Sequence, residues 1–148
     1  AGRWSEDVDG EVSDGHWPVA VDDREIRPYT VPHDARHPCQ YGFHDGQMRL
    51  GVLSDAGCIT PHIRSMLAPC DGLAVEFNHD RDMLARGPYP QSLKTRVGGQ
   101  LGHLSNCQFA RLLGRIGLAC LHTLVPAHFA APDSPPPTSV STPTCCHL

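Results

Sequence analysis

The feature that most constrains this chain is a series of short apolar runs, each of strand length and each stopping at a histidine or an aspartate. From Arg24 a β pattern begins, with Ile26, Tyr29 and Val31 suggesting a strand that ends at Pro32-His33. Residues 39–43 and 48–54 read as two strands joined by His44-Asp45-Gly46-Gln47, and Asp-Gly between apolar runs is a strong hairpin signal. The second strand runs straight into Asp55-Ala56-Gly57. Residues 72–77 end in Asn78-His79-Asp80, and residues 121–125 end at Pro126-Ala127-His128.

Helix signals separate these runs. Thr60-Pro61 reads as an N-cap followed by proline at the first helical position, opening a helix to Leu67. Residues 81–86 suit one or two helical turns, Gly87-Pro88-Tyr89-Pro90 breaks them, and residues 91–97 suit a further helix. Ser105 with Gln108 forms a capping-box pattern for a helix to Ile116, whose apolar residues are Phe109, Leu112, Leu113 and Ile116. The order predicts a layered α/β domain with too few strands to close a core by itself. Residues 1–23, acidic and Gly-rich with Trp4 and Trp17 as isolated apolar anchors, are expected to be irregular. The folded part is residues 24–129. Residues 130–148 are dominated by Pro, Ser, Thr and Ala and are expected to be a disordered tail, because such a composition cannot bury a core.

Composition removes several function classes. Twelve basic residues against sixteen acidic ones leave a net charge of −4, which argues against a surface that is nucleic-acid-seeking as a whole. Arg81, Arg86, Lys94, Arg96, Arg111 and Arg115 do gather in sequence around Gly-Pro-Tyr-Pro; a solvated helical face is expected of them before a phosphate-binding one. There are seven cysteines, and Cys39, Cys58, Cys70, Cys107 and Cys120 are scattered singly. Zinc-finger spacing is absent and a disulfide framework would leave one thiol over, so buried reduced thiols are expected. Cys145-Cys146-His147 reads as a flexible thiol pair before a short metal chelate. No apolar run of about 18 residues and no leader pattern occurs, so a soluble cytoplasmic protein is expected. A first residue of Ala1 rather than Met points to processing or to a fragment.

The histidines and aspartates carry the chemistry. His33, Asp55 and His128 each follow a strand, and His79 repeats that placement. In layered α/β folds the C-terminal ends of strands converge on one edge, where loops build sites on a rigid base. Imidazole and carboxylate are ligands for zinc, manganese or iron, and an aspartate between two metals can bridge them. A lone histidine is more often a satisfied core or surface residue. Three ligand-type residues at consecutive strand ends make a metal site a serious reading.

The stretches Val31-Pro-His-Asp-Ala-Arg, Gly51-Val-Leu-Ser-Asp-Ala-Gly, Val75-Glu-Phe-Asn-His-Asp, Gly87-Pro-Tyr-Pro-Gln-Ser-Leu-Lys, Gly102-His-Leu-Ser-Asn and Ala127-His-Phe occur in that order. Together they resemble the YycJ/WalJ-type branch of the metallo-β-lactamase-fold hydrolases, over roughly residues 24–129. The resemblance implies the C-terminal half of an αββα sandwich. It implies His33 as a ligand to one metal, Asp55 as the bridging aspartate and His128 as the last histidine ligand. His103 resembles the histidine that related nucleases and phosphodiesterases place near the scissile phosphate, to stabilise charge or protonate the leaving oxygen. Glu76 and His79 fall where the family has a supporting shell.

The implied chemistry is metal-assisted hydrolysis with two Zn²⁺ or Mn²⁺ ions on a phosphodiester or nucleic-acid substrate. One departure is large: the family's His-x-His-x-Asp-His motif occurs nowhere in these 148 residues, and His33-Asp34 through His37 has the wrong order. Fewer metals are therefore expected here than in the complete site. The missing half is expected to be needed for folding, its strands covering the apolar faces of residues 51–53 and 73–75. After His128 the chain also departs from the family, reading Phe-Ala-Ala-Pro-Asp. A catalytically inactive fragment, or a metal-binding or interaction module, is the alternative to a hydrolase.

Overall fold

The computed structural model describes residues 17–116 and 121–126. Ten elements follow one another along them: β1 (Val19–Val21), β2 (Arg24–Thr30), β3 (Cys39–His44), β4 (Arg49–Leu53), α1 (Pro61–Leu67), β5 (Gly72–Val75), α2 (Arg81–Arg86), α3 (Gln91–Val97), α4 (Asn106–Ile116) and β6 (Thr123–Pro126). This is the mixed α/β layer read from the sequence. Residues 127–148, with the expected tail and His128, lie outside the described residues, as do Trp4 and Cys120.

The six strands form one sheet in sequential order, antiparallel from β1 to β4 and parallel from β4 to β6. The turn between β3 and β4 is built as Asp-Gly requires. Gly46 takes φ +92°, and Asp45 Oδ1 accepts from the Gln47 and Met48 amides at 3.0 and 2.7 Å. Because β2 and β4 run the same way, the C-terminal ends of β2, β4, β5 and β6 meet at one edge. Two local expectations change. Residues 19–21, expected to be irregular, form the edge strand β1, which turns into β2 through Asp22 at φ +56°. Trp17 is no anchor, being 72% exposed.

Side chains alternate across each strand, so the sheet has two unlike faces. One carries Tyr29, Leu53, Leu73 and Val75, all buried, beneath Ile63 and Leu67 of α1 and Leu112 of α4. Gly51 on this face is filled against: an added Cβ would lie 2.6 Å from Leu67 Cδ2 and 3.0 Å from Cys70 Sγ. The Tyr29 hydroxyl donates to the Val52 carbonyl, which keeps that buried phenol satisfied. Helix α1 starts as read, with Thr60 Oγ1 accepting from Ile63 N at 3.1 Å. So does α4, where Ser105 N donates to Gln108 Oε1 at 2.9 Å.

The opposite face carries Ile26, Tyr41, Phe43, Leu50, Val52, Ala74 and Val125, by the pairing of Ile26 with Phe43, Phe43 with Leu50, Val52 with Ala74 and Ala74 with Val125. Tyr41, Phe43, Leu50 and Val125 on it are 44%, 37%, 42% and 48% exposed. Of residues 51–53 and 73–75, whose apolar faces the missing half is expected to cover, Val52 and Ala74 lie on this face. Gly51, Leu53, Leu73 and Val75 are already covered by helices, and it is Leu50, Val52 and Ala74 between them that face outward. The thiols also differ from expectation: of the four described, Cys70 is buried, whereas Cys39, Cys58 and Cys107 are partly exposed. Burial pushes the Cys70 thiol pKa up. Among the described residues no helix is long and apolar enough to cross a membrane.

The two faces predict unlike costs. Leu73→Ala should destabilise the chain by about 2–5 kcal/mol, because it opens a cavity under α1. Tyr41→Ser should cost about 0.5 kcal/mol or less and raise solubility. Urea unfolding of both variants measures this, and equal losses would mean the open face is covered.

Candidate metal centre

Two loops that leave strand ends meet a third that joins α3 to α4. The first follows β2 and carries His33, the second follows β4 and carries Asp55, and the third precedes α4 and carries His103. One ligand atom from each of His33, Asp55 and His103 lies within 4.8 Å of the others. The His33 and His103 rings meet edge-on, with centroids 5.2 Å apart at 72°. The side chain of His33 is 12% exposed, that of His103 23% and that of Asp55 48%, so the group opens to solvent on the aspartate side.

Glu76 holds the second and third loops together from below. It directly follows β5, is 0% exposed, and Oε1 accepts from Ala56 N at 2.8 Å and Leu104 N at 3.2 Å. Its other oxygen lies 3.1 Å from His103 Nδ1, and Asp55 Oδ1 is 3.4 Å from the same nitrogen. A buried carboxylate is costly unless its lone pairs are used, and these contacts use them. His103 is thereby oriented through Nδ1, between the Glu76 and Asp55 carboxyl groups.

Asp55 sits at φ +51°, a left-handed conformation that aspartate tolerates and that turns its side chain off the strand line. Hydrogen bonds on both sides hold the bend. Ser54 N donates to Gln40 Oε1 at 3.1 Å, and Gly57 N donates to Pro32 O at 2.8 Å, tying this loop to the one bearing His33. Gly57 O accepts from Gln108 Nε2 at 3.2 Å. Gly57 has no room for a side chain, since a Cβ would lie 2.2 Å from Gln100 O and 2.6 Å from Gly102 N. Sequence reasoning took Gly57 only as part of a motif. Its role follows from backbone packing between loops 45 residues apart, which no local signal carries.

His33 is fixed by its neighbours in the chain. Ala35 N donates to His33 Nδ1 at 3.1 Å and Asp34 Oδ1 lies 3.6 Å from the same nitrogen, while Nε2 is buried without a hydrogen-bond partner among the described residues. Asp34 is itself gripped by Arg96 of α3, at 2.5 Å from Nε and 3.3 Å from Nη2, and that bond holds the Asp34 carboxyl below the usual range. His79 stands outside the cluster of three. Its backbone pairs with Ser105, its Nδ1 is buried without a partner, and burial and then His103 push its pKa down. The centre therefore gathers His33, Asp55 and His103, with Glu76 beneath; His128 lies outside the described residues.

An orphaned buried imidazole nitrogen beside a carboxylate and a second imidazole is the donor set of a divalent cation, and the residues fit one. No family model matches the chain. Over 84 residues it is 33% identical to the exodeoxyribonuclease YycJ of Bacillus anthracis, a match covering 57% of this chain and 32% of that protein. Over 84 residues it is 36% identical to the exodeoxyribonuclease WalJ of Streptococcus pneumoniae serotype 2, covering 57% and 31%. Zn²⁺-bound PqqB from Methylobacterium extorquens superposes with a TM-score of 0.50 at 18% identity, covering 78% of this chain and 43% of PqqB. The chain is similar to YycJ and WalJ over those 84 residues and has the metallo-β-lactamase fold. It spans about a third of the length of the curated relatives it matches.

In this YycJ/WalJ-like chain the three loops depend on the Gly57 contact. Gly57→Ala should force the segment at Gln100–Gly102 away and weaken divalent-metal binding about tenfold or more. Gly46→Ala, in a turn remote from the centre, should leave metal binding unchanged. Competition titration with a zinc chromophore measures both, and unchanged affinity in Gly57→Ala would show that the loops close without this contact.

Proposed function

We propose that the chain is part of a metal-dependent hydrolase that is nuclease-like in its complete form and acts on phosphodiesters. The observation that carries this reading is the meeting of His33, Asp55 and His103 within 4.8 Å, with His33 Nε2 buried and unpartnered. The exodeoxyribonuclease relatives supply the substrate class. His33 and Asp55 would hold the cation, Zn²⁺ or Mn²⁺, with His128 as a third ligand. A bound divalent cation supplies a water of lowered pKa and polarises the phosphoryl oxygen.

The remaining work falls to the chain's own groups. His33 would offer Nε2 to a cation by giving up the Ala35 N–H bond at Nδ1, which would then carry the proton with Asp34 Oδ1 3.6 Å away as the carboxylate on that side. His103, oriented by Glu76 at Nδ1, would use its imidazole to protonate the leaving oxygen or to neutralise developing charge. Asp55, the most exposed of the three, is the group an incoming second cation would share.

The open sheet face supports the companion reading, that a complementary half bearing His-x-His-x-Asp-His packs on Tyr41, Phe43, Leu50 and Val125. Two sheets packed face to face would bury that surface. Without such a half the chain is a metal-binding module rather than a catalyst.

Residues 1–148 alone should bind Zn²⁺ or Mn²⁺ with a stoichiometry below two, and His33→Ala or Asp55→Ala should lower affinity about tenfold or more. Turnover of bis-p-nitrophenyl phosphate should be negligible until the complementary half is added. His103→Gln should then cut the rate about 10²–10⁴-fold and leave metal content intact. Proportional loss of metal would make His103 a ligand instead. Strong chelator-sensitive turnover by the chain alone would overturn the division of the site.

A further inference from the structure

Helices α2 and α3 enclose an open cavity of about 250 Å³, lined by His79, Arg81, Leu84, Ala85, Gln91, Lys94, Thr95 and Gly98. The polar side chains of this lining are two cations, an amide, a hydroxyl and an imidazole, with no carboxylate among them. In a chain of net charge −4 that is a selective local arrangement. Two acids flank Arg81 in sequence: Asp80 Oδ1 caps α2, accepting from Asp82 N and Met83 N at 2.9 Å, and Asp82, in the first turn of α2, is not part of the lining.

The cavity is also held open. Lys94 Nζ donates to Ala85 O at 2.7 Å, which bridges the two helices and leaves two of its three donors. His79 links the cavity to the metal centre, because its backbone pairs with Ser105, two residues after His103. Its Nδ1 is a buried polar atom without a partner among the described residues.

We infer that this cavity seats a phosphate of a nucleic-acid strand, neighbouring the phosphodiester presented to His33, Asp55 and His103. Arg81 and Lys94 neutralise it, and Gln91 and Thr95 offer further donors. Such contacts read the backbone and not the bases, so they hold a strand in register without choosing its sequence. The inference rests on the phosphodiester reading of the centre. It needs no metal, and that separates the two tests.

Binding of fluorescein-labelled hexathymidylate to the full chain in EDTA, followed by anisotropy, tests it. Arg81→Gln should weaken binding about fivefold or more and lower the slope of log affinity against log salt by about 0.7, the value for one phosphate contact on a single strand. Lys94→Gln should act the same way, and Arg81→Gln, which breaks no helix-bridging bond, guards against a structural cause. Arg111→Gln on α4 should change neither quantity. Equal losses from Arg111→Gln and Arg81→Gln would overturn the proposal, as would strand binding indifferent to Arg81. Competition by inorganic phosphate as strong as by the strand would reduce the cavity to a free-anion site and overturn the strand assignment. Strand binding that meets these expectations in a chain without metal-dependent turnover, alone or complemented, would leave the cavity standing and remove the hydrolase reading.

Discussion

Glu76 is a carboxylate with no exposure to solvent, and the arrangement of the centre depends on it. Burial alone would expel it or neutralise it. It stays because β5 ends beside two loops whose amide groups, at Ala56 and Leu104, have no strand or helix partner, and one oxygen serves both. Four atoms are thereby satisfied at once: two amides, the carboxylate oxygen they share, and the imidazole nitrogen of His103 on the other oxygen. The consequence is geometric. Asp55 and His103, 48 residues apart, cannot separate without stranding Glu76 in an apolar core beside Leu53, Val75 and Leu104.

The same sheet explains why the centre forms at an edge and why one side of the domain is bare. Parallel pairing of β4, β5 and β6 needs crossover segments, and these carry α1 and α4 over one face. The antiparallel β1 to β4 part needs only short turns, so it brings no helices to the other face. Parallel strands are generally covered on both sides. Here β4 and β5 are covered on one, and their outward residues Leu50, Val52 and Ala74 are apolar all the same. That mismatch is what the proposed complementary half would resolve by packing on this face.

Much of this was legible in the residues because it is local. Thr60-Pro61, Ser105 with Gln108, and Asp45-Gly46 each specify a cap or a turn through contacts within three residues, and each forms as read. The edge strand β1 was not legible. Its three residues are too few for a pattern, and its turn uses Asp22 in a left-handed conformation where Gly or Asn would have signalled it. The strand ends told which residue types reach the edge, but not which meet. Placement at strand ends did not separate His33, Asp55, His79 and Glu76; the resemblance set Glu76 and His79 apart as a supporting shell, and the long-range hydrogen bonds of Glu76 put it beneath the cluster. The inward and outward alternation at residues 51–53 and 73–75 was likewise hidden, since both faces are apolar and period two leaves no polar mark.

Helix α3, which has no buried residue, shows how a peripheral part can tune the centre. Its last turn gives Arg96 to Asp34, beside His33, and its last carbonyl, Val97 O, accepts from His103 N at 2.9 Å. The Arg96 carbonyl lies so close to Gly102 that a Cβ there would sit 2.1 Å from it. The helix thus touches the His33 loop through a side chain and the His103 loop through its backbone. No residue of α3 is buried, so hydrophobic packing contributes little to holding it in place. What holds it is polar: Lys94 to Ala85, Arg96 to Asp34, and Val97 to His103. A phosphate between α2 and α3 would add to that set at Lys94. Occupancy of the cavity and the pose of the two histidines are then linked through one short helix, whose position depends more on charge and hydrogen bonds than on the core.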